Sequence, residues 1–231
     1  MQQRKTLLPD WKKMFMIGSA AAIILAGCKS MNKTQKGAVI GTAGGAAVGA
    51  VIGKAAGNTA LGAIIGAAVG GTTGVIIGKK MDKQAKEIKN DVPGAKVDRV
   101  GEGIVVEFNE KILFGFDRSD LSGTSTKNLD KLASILQRYP DTNIEVQGHT
   151  DNVGTQNYNE ALSERRADAV TSYLRSKGIS ASRLIPKGYG ESAPKYANTS
   201  EEGRSMNRRV DFLITANDKM KADAKREAGN G

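Results

Sequence analysis

Cysteine is nearly missing from this chain of 231 residues: Cys28 is the only one, so no intramolecular disulfide can brace the fold. Histidine is as scarce, with His149 alone, and no second histidine or nearby cysteine is there to complete a zinc site. Tryptophan occurs once, at Trp11, and aromatic residues make up only 5%. No G-x-S-x-G elbow occurs. Gly53-Lys54 and Gly78-Lys79 lack the Walker spacing and the hydroxyl residue that should follow. The run Gly188-Tyr189-Gly190-Glu191-Ser192-Ala193 looks like a dinucleotide fingerprint, but Pro194 stops the helix that would have to follow. Without a metal centre, a nucleotide loop or a positioned acid and base, the expectation is no enzyme and no cofactor. The N-terminal apolar run, residues 14–27, is uncharged but short of the ~20 residues that cross a bilayer as a helix.

That short run has another use. Arg4, Lys5, Lys12 and Lys13 precede it and small residues close it, the layout of a cleaved signal peptide over residues 1–27. Leu25-Ala26-Gly27-Cys28 resembles the bacterial lipobox, in which a peptidase cuts before the cysteine and lipid is attached to it. The resemblance makes Cys28 the lipidation site and residues 28–36 a lipidated linker, with membrane lipid as a partner. Lys29 in place of aspartate favours the outer membrane. Removing four basic residues and Asp10 lowers the formal charge from +10 to +7, a modest attraction for anionic polymer and no nucleic-acid signature.

Glycine, by contrast, is plentiful at 28 residues, and it is concentrated. Gly37, Gly41, Gly45, Gly49, Gly53 and Gly57 recur every four residues, and the pattern restarts at Gly62, Gly66, Gly70, Gly74 and Gly78. Spacing of four puts one repeat's glycines on a single helical stripe where backbones can approach closely. Each glycine costs a helix in water ~1 kcal/mol relative to alanine, a penalty that weakens in lipid, where the backbone has no other partner. Residues 37–80 resemble the glycine-zipper domains of bacterial membrane lipoproteins. They are expected as a membrane-associated helical hairpin; whether it spans, lies on the surface or joins copies into a homo-oligomer stays open.

A charged, helix-compatible connector follows over residues 81–94, punctuated by Pro93-Gly94. From Ala95 the period changes to two, and Val97, Val100, Ile104, Val106 and Phe108 read as a hairpin turning at Gly101 to Gly103. Residues 111–116 read as an apolar extension. A helix through Leu129, Leu132, Ile135 and Leu136 ends before Pro140, a strand covers 144–147, and a second helix runs to Gly178. Strands at 183–188 and 210–215 complete an α+β domain over 95–216: one mixed sheet with helices on one face. The tail, 217–231, reads as polar and frayed.

One segment of this domain breaks pattern. In the second helix Leu162, Ala169, Val170 and Tyr173 share a face, and Arg166 falls near the middle of it. An arginine in a buried stripe needs a partner, and the loop just before the helix supplies Asp151. The two either face a ligand together or pair with each other. His149, beside them, is expected to cap the loop by a hydrogen bond. Arg208 and Arg209 precede and open an alternating strand, so only one of them should point toward the site.

Five ordered motifs then converge: Phe114-Gly115-Phe116-Asp117, Gly148-His149-Thr150-Asp151, the run 159–167 (NEALSERRA), Gly188-Tyr189-Gly190-Glu191 and Asn207-Arg208-Arg209. Together they resemble the OmpA-like C-terminal domain, shared with the peptidoglycan-associated lipoprotein. With the lipobox and zipper in front, the chain is similar to outer-membrane lipoproteins of the YiaD type. The resemblance implies non-covalent binding of peptidoglycan through the diaminopimelate of its stem peptide. Asp151 would hold the ammonium and Arg166 a carboxylate; Asp117, Thr150, Asn159 and Arg208 match further pocket positions. The expected function is a lipid-anchored tether between outer membrane and wall. The alternative is a glycine-zipper oligomer or channel that the wall-binding domain positions.

Overall fold

A computed structural model describes residues 71–114 and 118–229. The leader, Cys28 with its spacer, and the glycine repeat as far as residue 70 lie outside the described residues. The first element is helix α1, Gly71–Asp91. It takes in most of the segment expected as a charged connector, together with the last turns of the glycine repeat. The reason is an apolar stripe that the lysines obscure: Ile77, Met81, Ala85 and Ile88 recur at helical spacing, and all four are buried. Ile77, Met81 and Ile88 are fully enclosed in the domain core, so this end of the repeat packs against protein. No described helix is long and apolar enough to cross a membrane.

The expected hairpin follows as β1, Lys96–Val100, and β2, Gly103–Asn109. Their turn uses Gly101 at φ 57°, a left-handed conformation that suits glycine. The segment expected to extend this strand instead coils into a short helix, α2, Glu110–Leu113, because the Asn109 side chain caps it by accepting from the Lys111 amide at 3.0 Å. Helix α3, Gly123–Arg138, begins with a capping box between Ser122 and Ser125. Then come β3, Thr142–His149, α4, Gln156–Ser176, and β4, Leu184–Gly188. A short α5, Glu201–Asn207, leads into β5, Arg209–Ala216. The tail expected to fray holds a further helix, α6, Asp218–Gly229, which buries Met220 and Ala224. Asn217 caps it by accepting from the Met220 amide at 2.9 Å.

The strands form one sheet in the order β1-β2-β5-β3-β4. Only the β3–β4 pair is parallel, so the sheet is mixed, and the α+β architecture holds. Val106, Phe108, Ile144, Val146, Phe212 and Ile214 line one face and join the apolar stripes of α1, α3, α4 and α6 in a single core. Phe108 and Phe212 meet edge to face at 5.6 Å. The register gives the sheet two distinct ends. Asn109 lies opposite Arg209, Arg209 opposite His149, and Gly148 opposite Gly188 at one end; Ile104, Ile214 and Ala216 mark the other. Helix α1 begins at the second end, where a Cβ at Gly74 would meet the Glu102 carboxylate at 2.5 Å.

Candidate functional site

The site is built at the first of these ends, where β3 breaks at Gly148. A Cβ there would lie 2.1 Å from the Ser163 carbonyl oxygen, so glycine is what lets strand and helix α4 approach this closely. The loop beyond is pinned from two sides. The Thr150 amide donates to the carbonyl of Gly190 at 2.9 Å, and the Gly190 amide donates to Ser163 Oγ at 2.9 Å. Thr150 Oγ1 then donates to the Asp151 carbonyl at 2.8 Å, and Asp151 Oδ1 accepts from the Val153 amide at 3.0 Å. Asp151 is thereby fixed and only 5% exposed.

Arg166 is 2% exposed on α4. Its Nη1 lies 2.7 Å from Glu110 Oε2, its Nε donates to the Arg118 carbonyl at 3.1 Å, and its guanidinium carbon sits 5.3 Å from the Phe114 ring centroid. The predicted alternative of a direct pair with Asp151 is not what forms. Asp151 Oδ2 instead accepts from Arg208 Nη1, and Arg208 Nε lies 2.6 Å from Glu110 Oε1. The result is a chain of alternating charge, Asp151, Arg208, Glu110, Arg166, drawn from a loop, the residue between α5 and β5, α2 and α4. Glu201 adds a third carboxylate to Arg208 at 2.9 Å. Burial alone would loosen the Arg208 proton, but the surrounding carboxylates outweigh it and raise its pKa.

Asn159 is 2% exposed, and its Nδ2 donates to Glu191 Oε2 at 2.6 Å and to the Asp151 carbonyl at 3.3 Å. Thr150 and Asn159 therefore hold the loop, while Asp151, Arg166 and Arg208 carry the charge. Asp117 lies outside the described residues. Arg208 and Arg209 point to opposite sides, as alternation requires. Glu110, Glu191 and Glu201 were not foreseen. The one available signal for Glu110 is Asn109-Glu110 read as a helix cap followed by a first-turn acid.

His149 does not cap the loop. It is fully buried, stacked on Tyr189 at 5.4 Å and 11°, and neither ring nitrogen has a hydrogen-bond partner. Burial, reinforced by Arg209 and Lys195, holds its pKa well below 6.5, so it is a neutral strut rather than a proton carrier.

Sheet order, helical face and buried charge chain together define an OmpA-like domain. The OmpA family profile matches residues 113–208, and a YMGG-like Gly-zipper profile matches residues 11–82. Outer-membrane lipoprotein YfiB of Pseudomonas aeruginosa is 37% identical over 115 residues, which is 50% of this chain and 68% of that protein; the chain belongs to the OmpA family. The peptidoglycan-associated lipoprotein of Haemophilus influenzae is 43% identical over 99 residues, 43% of this chain and 65% of that protein. Among solved structures, the cell wall anchor of the T6SS from Pseudomonas aeruginosa superposes with TM-score 0.52 at 28% identity, covering 58% of this chain and 96% of that one. Other relatives are matched over a smaller part of their length: the chain spans 34% of outer membrane porin F of Pseudomonas fluorescens.

Proposed function

We propose that the protein is a lipid-anchored outer-membrane tether that binds peptidoglycan non-covalently, through the diaminopimelate of its stem peptide, and does no catalysis. One observation carries the reading: Asp151 and Arg166 are both buried at one end of the sheet, are not spent on each other, and are each matched by a group of opposite sign. A diaminopimelate end presents an ammonium and a carboxylate at fixed separation, and an aspartate with an arginine fork is the complementary pair. The names of the relatives, a peptidoglycan-associated lipoprotein and a cell wall anchor, support the same reading. So does the placement, since α1 begins at the opposite end of the sheet from the site and Cys28 precedes α1 in the sequence. Each charge-assisted contact would contribute ~1.5–3 kcal/mol, so many copies held at one membrane would supply the lasting attachment.

The test is retention of the full chain on purified sacculi, with free diaminopimelate as competitor. Wild type should be retained and displaced by the competitor, and Arg166→Lys and Asp151→Asn should be lost from the pellet. Undiminished retention of both variants would remove the site from the reading.

A further inference from the structure

The charge chain has a second property, which rests on the reading just given. Its two inner members form an ion pair of their own, with Glu110 Oε1 2.6 Å from Arg208 Nε. That pair meets the outer members as a zwitterionic ligand would. The Glu110 carboxylate lies 2.7 Å from Arg166, the group assigned to a ligand carboxylate. The Arg208 guanidinium donates to Asp151, the group assigned to a ligand ammonium. The backbone ties the two together as well, because the Glu110 amide donates to the Arg208 carbonyl at 2.8 Å. We infer that Glu110 is an internal stand-in for the ligand carboxylate, and that the wall ligand binds by exchanging with it at Arg166.

Three features of the structure support exchange over a fixed brace. Glu110 opens a helix of four residues, so its side chain can swing without moving the sheet. Its release leaves Arg208 held by Asp151 and Glu201. Arg166 meanwhile keeps the Arg118 carbonyl and the face of Phe114, so its fork stays aimed while the carboxylate changes hands. The consequence is selectivity. A ligand end without a carboxylate cannot replace Glu110 at Arg166, so an amine alone gains nothing at that position. Affinity is then the difference between two similar pairings, and Glu110 sets it.

The experiment compares wild type, Glu110→Gln and Glu110→Asp as full chains in detergent, titrated with free diaminopimelate and with cadaverine, which has the amines but no carboxylate. Removing the competing charge should tighten diaminopimelate binding roughly tenfold, the weight of one charge-assisted hydrogen bond, and leave cadaverine unchanged. Thermal unfolding of each variant is recorded alongside; if Glu110→Gln does not fold, Glu110→Asp, which keeps the charge but shortens its reach, should still bind more tightly than wild type. Equal or weaker binding by a folded variant overturns the inference while leaving the tether intact. Failure of wild type to bind diaminopimelate at all would overturn the tether reading itself.

Discussion

Arg208 and Arg209 are consecutive residues that end up in two charge clusters on opposite sides of the sheet, the first partly buried and the second fully so. Arg208 meets carboxylates from three separate places, Asp151 in a loop, Glu110 on α2 and Glu201 on α5. Arg209, 1% exposed, lies 3.1 Å from Asp211 two residues along the same strand and otherwise donates to the carbonyls of Asn207 and Ala193 at 3.3 Å each. Around it, Asp211 Oδ1, Gln147 Oε1 and both His149 nitrogens are buried without a hydrogen bond, although His149 Nε2 lies 3.5 Å from Asp211 Oδ2. Burial raises the Asp211 pKa, and Arg209 only partly offsets it. Both clusters hold an arginine among acids, but the first is partly open, with Glu201 exposed, and the second is closed; they differ also in where the partners come from. Charges drawn from several separate elements can rearrange around a ligand, whereas charges fixed to one strand can only brace it.

Four substitutions bear on that contrast. The largest effect should come from Arg209→Ala, which strands Asp211 in the interior and should cost about 3–5 kcal/mol in urea unfolding, while the folded fraction still binds sacculi normally. Lost wall binding in that fraction would break the distinction between the clusters. Arg166→Ala should cost rather less, about 2–3 kcal/mol, because Glu110 keeps Arg208, yet it should abolish sacculus retention. Asp151→Asn should cost about 1–2 kcal/mol, since its neighbour Arg208 retains two other carboxylates, with retention down by roughly tenfold or more. The smallest effect, His149→Asn, is a matter of pH. Histidine in the unfolded chain titrates near 6.5, and in the fold His149 is held well below that. The unfolded state therefore takes up protons first, so the contribution is intact above about 6.5 and is lost as pH falls toward the depressed folded value. The variant should lose less stability than wild type between about pH 7 and about pH 5. The raised Asp211 acts in the opposite direction, and because its Oδ2 lies 3.5 Å from His149 Nε2 the difference reports the two groups together. Equal acid sensitivity would mean that the neutral imidazole is not what makes this cluster brittle.

The strands and helices α3 and α4 were legible because their apolar positions keep period, and Arg166 was legible because it breaks period. Helix α1 was harder: four buried positions are dispersed among five lysines between Lys79 and Lys89, and average composition outweighs periodicity there. Helix α6 was hidden in the same way, with two anchors, Met220 and Ala224, in a charged tail. Asp151 and Arg166 were brought to one place by loop and helix phase alone. Their partners were not, since Glu110 and Arg208 meet only across the β2–β5 register, with Asn109 opposite Arg209, and nothing local marks a glutamate at a strand end as buried.

The packing of α1 has one more consequence for the tether proposed above. A tether works under tension. In that reading a pull from the membrane side would reach the N-terminal end of α1, where Gly74 lies against Glu102, while the wall would pull from the far end of the sheet. The force then runs lengthwise along α1, and Ile77, Met81, Ile88 and Val92 are strained together in shear rather than peeled away one by one. Asp82 pinned to Arg99 at 2.7 Å and Glu87 to Arg138 at 2.8 Å share that strain along the helix. The segment whose composition suggests only a charged connector would then be the joint that bears the load.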